Sequence, residues 1–476
     1  MLTRRTFLRK SLTASASLGI APVAIGRAQT SSAIALKLAN AAPVEVPRNF
    51  TGLGYEMSSV ATPGLLSPTN HHYVELIKGL GPQGVLRAGG IVANYTRYVP
   101  DGTTIAERQN TVITHACLKQ FSAFLARIGW TAIWSVNFAQ GTIDQAVEEA
   151  RVVAETLGSR LLALEIGNEV DTYGRGQPFR SPSYDYAAYR SEYGAWRAAI
   201  AKAVPGIRFA APDTASAVDW VEQMAQEMVH NASADVQLLT THYYRNGQTK
   251  GNADQLLHPD PRLKDIATRM RAASLQSGVP WRICEINSFS GGGHPGVSDT
   301  FVGALWTLNA MLLLAQYGCS GVNMETGVNQ LGFISSYSPI QDDGNGVNSA
   351  GVPYHGMLAF AAAFAGCHQL LPIETGSTAD TFTACIFGAA GKPRSAVLVN
   401  TDRASDVHVS LAGLGMHHAD VLRLLAPAPE SKSDATLAGA QVNADGQWRA
   451  KSRERLHNAA IEIPHMSAAV VRVEGP

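Results

Sequence analysis

Eight apolar runs of strand length, separated by stretches with helical periodicity, constrain this chain more than any other feature. They span Phe50 to Met57, Gly84 to Gly90, Thr131 to Phe138, Leu161 to Glu169, Ile207 to Asp213, Val236 to Tyr244, Pro280 to Ser288 and Gly321 to Thr326. Between them apolar residues recur at three and four, as in Ala116 to Ile128 and Tyr186 to Ala203, while Thr300 to Tyr317 is apolar nearly all round. Strands buried on both faces read as continuous Val/Ile/Leu runs, and eight such alternations predict a parallel (β/α)8 TIM barrel. With 476 residues, 46% of them hydrophobic, the chain is long enough for a second core. Beyond Gly366 the pattern changes to short alternating segments broken by Gly, Asp and Asn, a β-sandwich signature. Ala33 to Val46 reads as one or two further strands, expected to pair into that sandwich. The expected organisation is thus N-terminal sandwich strands over 33–48, the barrel over 49–365 and the β-sandwich over 366–476.

The first residues, MLTRRTFLRK, form a basic stretch with adjacent Arg4 and Arg5, followed by an apolar and small-residue segment from Ser11 to Ile25. This is the pattern of a twin-arginine export signal over residues 1–28 and implies a periplasmic or secreted protein. The apolar segment is short and interrupted by Pro22, so no stable membrane insertion is expected once the signal is removed. Its removal takes away Arg4, Arg5, Arg9, Lys10 and Arg27 and no acid, which leaves a mildly acidic mature chain. Binding of nucleic acid through a broad basic surface is therefore not expected. Five cysteines without CxxC spacing read mostly as buried small hydrophobes, with a Cys367–Cys385 bridge permitted by an exported location. The pairs His71-His72 and His417-His418 lack a third ligand at convincing spacing, so no metal site and no cofactor are expected.

Two of the apolar runs deliver a carboxylic acid to a strand end. LLALEIGNE closes on Asn168 and Glu169, and VPWRICEINS carries Glu285, with glycine-rich SGGG following at Ser290 to Gly293. Catalytic groups of a parallel barrel sit where its strands end, and glycoside hydrolysis uses two carboxyl groups, one as acid and one as nucleophile or base. Consecutive glycines such as Gly291 and Gly292 let backbone N–H groups approach an anion, as in a nest, or serve as a tight turn. Glu325, in the eighth run, is a rival carboxylate without such a loop after it.

On these positions the chain resembles the clan A glycoside hydrolases, and more closely family 79, which contains β-glucuronidases and heparanase. The resemblance is carried by LEIGNE at Leu164 to Glu169, THYYRNG at Thr241 to Gly247, ICEINSFSGGGHPGVSDTF at Ile283 to Phe301 and LRAGG at Leu86 to Gly90. It implies a barrel plus sandwich, with Glu169 as general acid/base and Glu285 as nucleophile. It also implies that Asn168 binds the sugar 2-hydroxyl, that Tyr243 donates to the nucleophile, and that Glu56 contacts sugar hydroxyls. His242 and Tyr244 are then expected on the opposite face of their strand. The Gly291-Gly292 backbone and Tyr337 would hold a uronate carboxylate. Ser58 stands where heparanase has Asn, and long basic tracts are missing. The expected partner is a glycan or glucuronide ending in glucuronic acid, cleaved in exo fashion by a retaining β-glucuronidase. Endo action, another clan A β-glycosidase, or a non-catalytic carbohydrate-binding protein are the alternatives.

Overall fold

The computed structural model describes residues 33–103, 111–230, 235–327, 335–342, 347–377, 379–456 and 458–473. The export-signal reading over 1–28 lies outside them. Eight parallel strands close into a barrel in chain order: Gly52–Glu56, Val85–Gly89, Thr131–Val136, Leu161–Ile166, Phe209–Thr214, Val236–Gly247, Trp281–Ser290 and Val322–Glu325, the last pairing with the first. Each corresponds to one of the eight apolar runs.

The helices between them follow the local code. His115–Ile128 starts at Thr114, whose side chain accepts from the Cys117 N–H, and ends at Gly129 with φ 81°, a left-handed conformation that costs glycine little. It buries Leu118, Phe121, Phe124, Leu125 and Ile128, the stripe that a 3.6-residue period lays on the barrel. Phe301–Gln316 and Val352–Phe364 are apolar on nearly all sides because they pack on each other, the first also against the seventh barrel strand and the second against a β-sheet. Phe360 and Phe364 meet Phe387 of that sheet edge-on, with ring centroids 5.5 and 5.9 Å apart.

The sheet is eight-stranded and antiparallel, and a four-stranded sheet packs on its far face. Leu36, Ile386, Leu398, Val409, Ile463 and Val471 fill the space between the two. Ile34–Leu38 lies inside the smaller sheet, antiparallel to Ile373–Thr375 and parallel to Val407–Ser410. Val44–Glu45 joins the larger sheet beside Gln369–Leu371. The N-terminal segment thus enters the second domain before the chain begins the barrel. All five cysteines are free thiols, so Cys367 and Cys385 form no bridge. Among the described residues no helix is long and apolar enough to cross a membrane.

Within the barrel, side chains are layered. Val85, Ile133, Ala163, Ala210, Leu238 and Cys284 form an apolar layer. Toward the strand starts Arg282 donates to the carbonyls of Phe50 and Val322 and to Asn323 Oδ1, the last at 2.6 Å. Burial pulls its guanidinium down to about 10, still charged at neutral pH. A Cβ on Gly52 would lie 2.5 Å from the Arg282 Nη2, which is why glycine opens the first strand. Polar side chains then collect toward the strand ends.

Candidate active site

Arg87, on the second strand, is 1% exposed and organises the upper barrel. Its Nε donates to Glu165 Oε2 at 2.8 Å, its Nη1 to Glu285 Oε2 at 2.8 Å, and its Nη2 to Asn168 Oδ1 at 2.8 Å and Asp213 Oδ2 at 2.6 Å. A buried guanidinium is tolerated only when such charge-assisted bonds replace its hydration. Because guanidinium has no acceptor, its bond to Asn168 fixes the amide oxygen and leaves the Asn168 NH2 as the end that can face a ligand.

Glu285 is held at both oxygens. Arg87 takes Oε2, and the phenol of Tyr244 donates to Oε1 at 2.7 Å. Tyr243 does not have the role expected of it: its phenol donates to Asp260 on the outside of the strand. The alternation of side chains therefore runs opposite to the expectation, with His242 and Tyr244 turned into the barrel. Burial and the Glu285 charge push the Tyr244 phenol well up, so it stays a proton donor.

His242 lies between the acids. Its Nε2 is 2.9 Å from Asp213 Oδ1, and its Nδ1 is 3.3 Å from Glu169 Oε1 and 3.7 Å from Glu285 Oε2. Burial alone would lower the imidazole pKa, but Asp213 and Glu285 raise it well above the ordinary value. Asp213 is itself pushed up by burial, yet Arg87 and His242 hold it below the usual carboxylate range. Glu165 is pushed up to about 7, chiefly by burial, and accepts from Ser135 at 2.6 Å. Two buried cations thus sit among carboxyl groups of which at least one tends to carry a proton.

Glu169 follows the fourth strand in a left-handed conformation, φ 52° and ψ 48°. Such strain in a non-glycine residue persists only where its surroundings impose it, and it is concentrated at functional sites. Here Gly167 with φ 96° turns the chain, and the Asn168 N–H donates to the Tyr173 phenol oxygen. Burial, the largest influence, raises the Glu169 pKa; the His242 contact opposes it and the Glu285 charge adds to it. One carboxylate oxygen each from Glu169 and Glu285, with a ring nitrogen of His242, lie within 4.8 Å of one another.

The remaining expected residues surround this pair. Glu56 ends the first strand and accepts from the backbone N–H groups of Ile91 and Val92 at 3.3 and 2.8 Å; burial and Glu285 push it up to about 8. Glu325 ends the eighth strand, 2% exposed, and burial with its acidic neighbours raises its pKa well above the usual range. Gly291, Gly292 and Gly293 all have positive φ, 73°, 88° and 84°. The Gly292 carbonyl accepts from the Ser336 N–H at 2.7 Å, which draws the loop to the segment carrying Tyr337. A Cβ on Gly293 would be 2.8 Å from the Tyr337 nitrogen, so only glycine fits. Tyr337 is buried, its ring 6.1 Å from that of Tyr244. Sequence reading missed Arg87, Glu165, Asp213, His242 and Tyr244 as site residues. Their signal was available in part, since each is a polar residue within or at the end of an otherwise apolar barrel strand.

The barrel and the associated β-sheets give the chain the architecture of the clan A glycoside hydrolases, with this group of carboxyls at the strand ends. No family model matches it. Its sequence is 24% identical to a β-glucuronidase of Aspergillus niger over 414 residues, covering 79% of this chain and 76% of that protein. Among solved structures it matches a 4-O-α-L-rhamnosyl-β-D-glucuronidase from Fusarium oxysporum, with TM-score 0.77 and 18% identity over 92% of this chain and 100% of that one. It also matches a family 51 α-L-arabinofuranosidase from Bifidobacterium longum, with TM-score 0.68 and 14% identity over 93% and 100% of the two chains.

Proposed function

We propose that this chain is an exported retaining exo-β-glucuronidase, with Glu285 as nucleophile and Glu169 as acid/base. The observation that carries the reading is the approach of one carboxylate oxygen of Glu169 to within 4.8 Å of one of Glu285. So close a pair suits a double displacement, for which the carboxyl groups stand about 5 to 5.5 Å apart. The identity with the Aspergillus niger β-glucuronidase supports the uronide part of the reading.

The environments of the two acids divide the labour. Arg87 and Tyr244 donate to the two oxygens of Glu285, which holds the carboxyl group in place to attack the anomeric carbon. Burial favours the protonated form of Glu169, which donates to the glycosidic oxygen as the C–O bond breaks and a glucuronyl ester forms on Glu285. Glu169, now ionised and near the His242 imidazole, then takes a proton from water, and the water oxygen displaces Glu285. The Asn168 NH2, left free to point at the ligand by the Arg87 bond, donates to the 2-hydroxyl. Glu325 is a weaker nucleophile candidate because burial keeps it protonated.

The three positive-φ glycines and the Tyr337 hydroxyl supply donors for the C6 carboxylate. Replacing that carboxylate by hydroxymethyl or hydrogen leaves such donors unpaired, a mismatch that can cost up to about 10⁴-fold. A panel of aryl β-glycosides differing only at C6 tests this. Glucuronides should be cleaved at least about 100-fold more efficiently in kcat/KM than glucosides or xylosides, a cautious share of that ceiling. Comparable rates on the glucoside would contradict the uronide reading and leave the two-carboxylate chemistry standing. Exo action is favoured by the missing basic tracts, and release of a single terminal glucuronic acid from a defined oligosaccharide would bear it out. A periplasmic or secreted location follows from the twin-arginine pattern at Arg4 and Arg5.

A further inference from the structure

At the opposite end of the barrel a cleft of about 550 Å³ opens between the strand starts and the eight-stranded sheet. One wall comes from Arg48 and Thr51, just before the first strand, and from the turn at Gly79 to Gln83 that leads into the second. The other comes from the sheet, through Asp420 to Leu422 and Arg472, and from the segment containing Trp448 and Arg453. The volume lies within the range of about 300 to 1,000 Å³ typical of small-molecule sites.

The charge on its walls is one-sided. Arg48, Lys78, Arg453 and Arg472 line it against a single carboxylate, Asp420, which is already paired with Arg455 at 3.1 Å. Lys78 has only a 3.6 Å contact with Glu75 on its own helix, and Arg472 reaches the Ala365 carbonyl. Among the described residues neither Arg48 nor Arg453 meets a carboxylate. A concave low-dielectric wall concentrates the field of such cations on whatever enters. Trp448 contributes a half-buried indole whose Nε1 donates to the Leu437 carbonyl at 3.0 Å, which holds the ring in place. A fixed aromatic wall with a few convergent cations suits a ligand that carries both a flat apolar face and negative charge.

We propose that this cleft is a second, non-catalytic binding site for a uronate-bearing oligosaccharide, the ligand class resting on the glucuronidase reading above. Sugar rings would pack their C–H faces on Trp448 while carboxylates meet Arg48, Arg453 and Arg472. The five residues of the first strand alone separate the cleft from the acids by roughly 17 Å at about 3.3 Å per residue, so one short glycan cannot engage both sites. The site would instead tether the enzyme to an acidic polymer whose free ends are cleaved elsewhere.

The test uses full-length protein carrying Glu285→Gln, so that ligand is not consumed, and calorimetric titration with an unsulfated chondroitin tetrasaccharide. Two binding events are expected, and adding Arg48→Glu with Arg453→Glu should weaken one of them at least tenfold. The same double reversal in the otherwise native chain should leave aryl β-glucuronide kcat/KM within about twofold. Both arginines are exposed, so a matching thermal midpoint shows that the variant is folded. Unchanged tetrasaccharide binding after the reversal overturns the proposal. So does equal binding of neutral cellotetraose, or displacement by inorganic phosphate at similar concentration, which would mark a simple anion site. If the reversal abolishes one binding event but aryl glucuronides are not cleaved, the cleft stands and the catalytic reading falls.

Discussion

At the residue scale the two adjacent tyrosines of the sixth strand carry most of the lesson. The resemblance of the motif HYYRNG implies a tyrosine beside the proposed nucleophile, but which one faces inward depends on the phase of the pleat, and a one-residue slip exchanges the faces. The register against both neighbouring strands shifts between Thr240 and His242, so the phase cannot be counted from the strand start. The structure resolves it in favour of Tyr244, and with it His242. Tyr244→Phe removes a hydrogen bond to a charged group, worth about 1.5 to 3 kcal/mol, so kcat/KM should fall about tenfold to a hundredfold. Tyr243→Phe should stay within about threefold on that scale, and steady-state kinetics in which it is the more damaged variant would reverse the assignment. Glu169 gives a second prediction at this scale. As an acid whose pKa is raised in the free enzyme, it is protonated below that pKa and loses its proton above it, so the basic limb of kcat/KM should lie above the ordinary carboxylate range. Glu169→Ala should cost far less on a dinitrophenyl glucuronide, which needs no protonation to leave, than on a sugar glucuronide. Equal losses on the two substrates would remove the acid role.

At the scale of elements, the barrel was legible because a strand buried on both faces has no polar alternation to confuse its reading, and eight such runs admit few other architectures. The polar residues inside the strands were not legible for the same reason. Arg87, Glu165 and Arg282 read as interruptions in apolar runs, whereas each is a buried group whose partners come from distant strands. Glu149 is a similar case on a helix. It faces inward from Ile143–Leu157 and accepts from the Trp134 indole of the third strand at 2.8 Å, and burial pushes its pKa from 4.5 to about 7. A raised folded-state pKa favours the native state while the group is protonated, below about 4.5. That contribution is lost as pH rises toward 7, after which the charged form costs roughly 3 kcal/mol at most. Glu149→Gln keeps an acceptor for the indole and removes the charge. It should raise the thermal midpoint at pH 8 and leave it nearly unchanged at pH 4; equal effects at the two pH values would mean that folding does not raise the Glu149 pKa.

At the scale of the whole molecule, the second domain packs against the apolar helix Val352–Phe364 and admits the N-terminal strand; the β-sandwich was foretold by the alternation after Gly366 and the strand by the pattern of Ala33 to Val46. What sequence could not give is the convergence that closure of the barrel produces. Residues 87, 168, 213, 242 and 285 are far apart in the chain and meet only because eight strand ends share one rim. The central claim is that this rim performs a double displacement on a β-glucuronide, and the configuration of the first product tests it most directly. Proton NMR of wild-type protein hydrolysing an aryl β-glucuronide should show the β-anomer of glucuronic acid first, with the α-anomer appearing later by mutarotation. The α-anomer appearing first, or an intact glucuronide, would contradict the account.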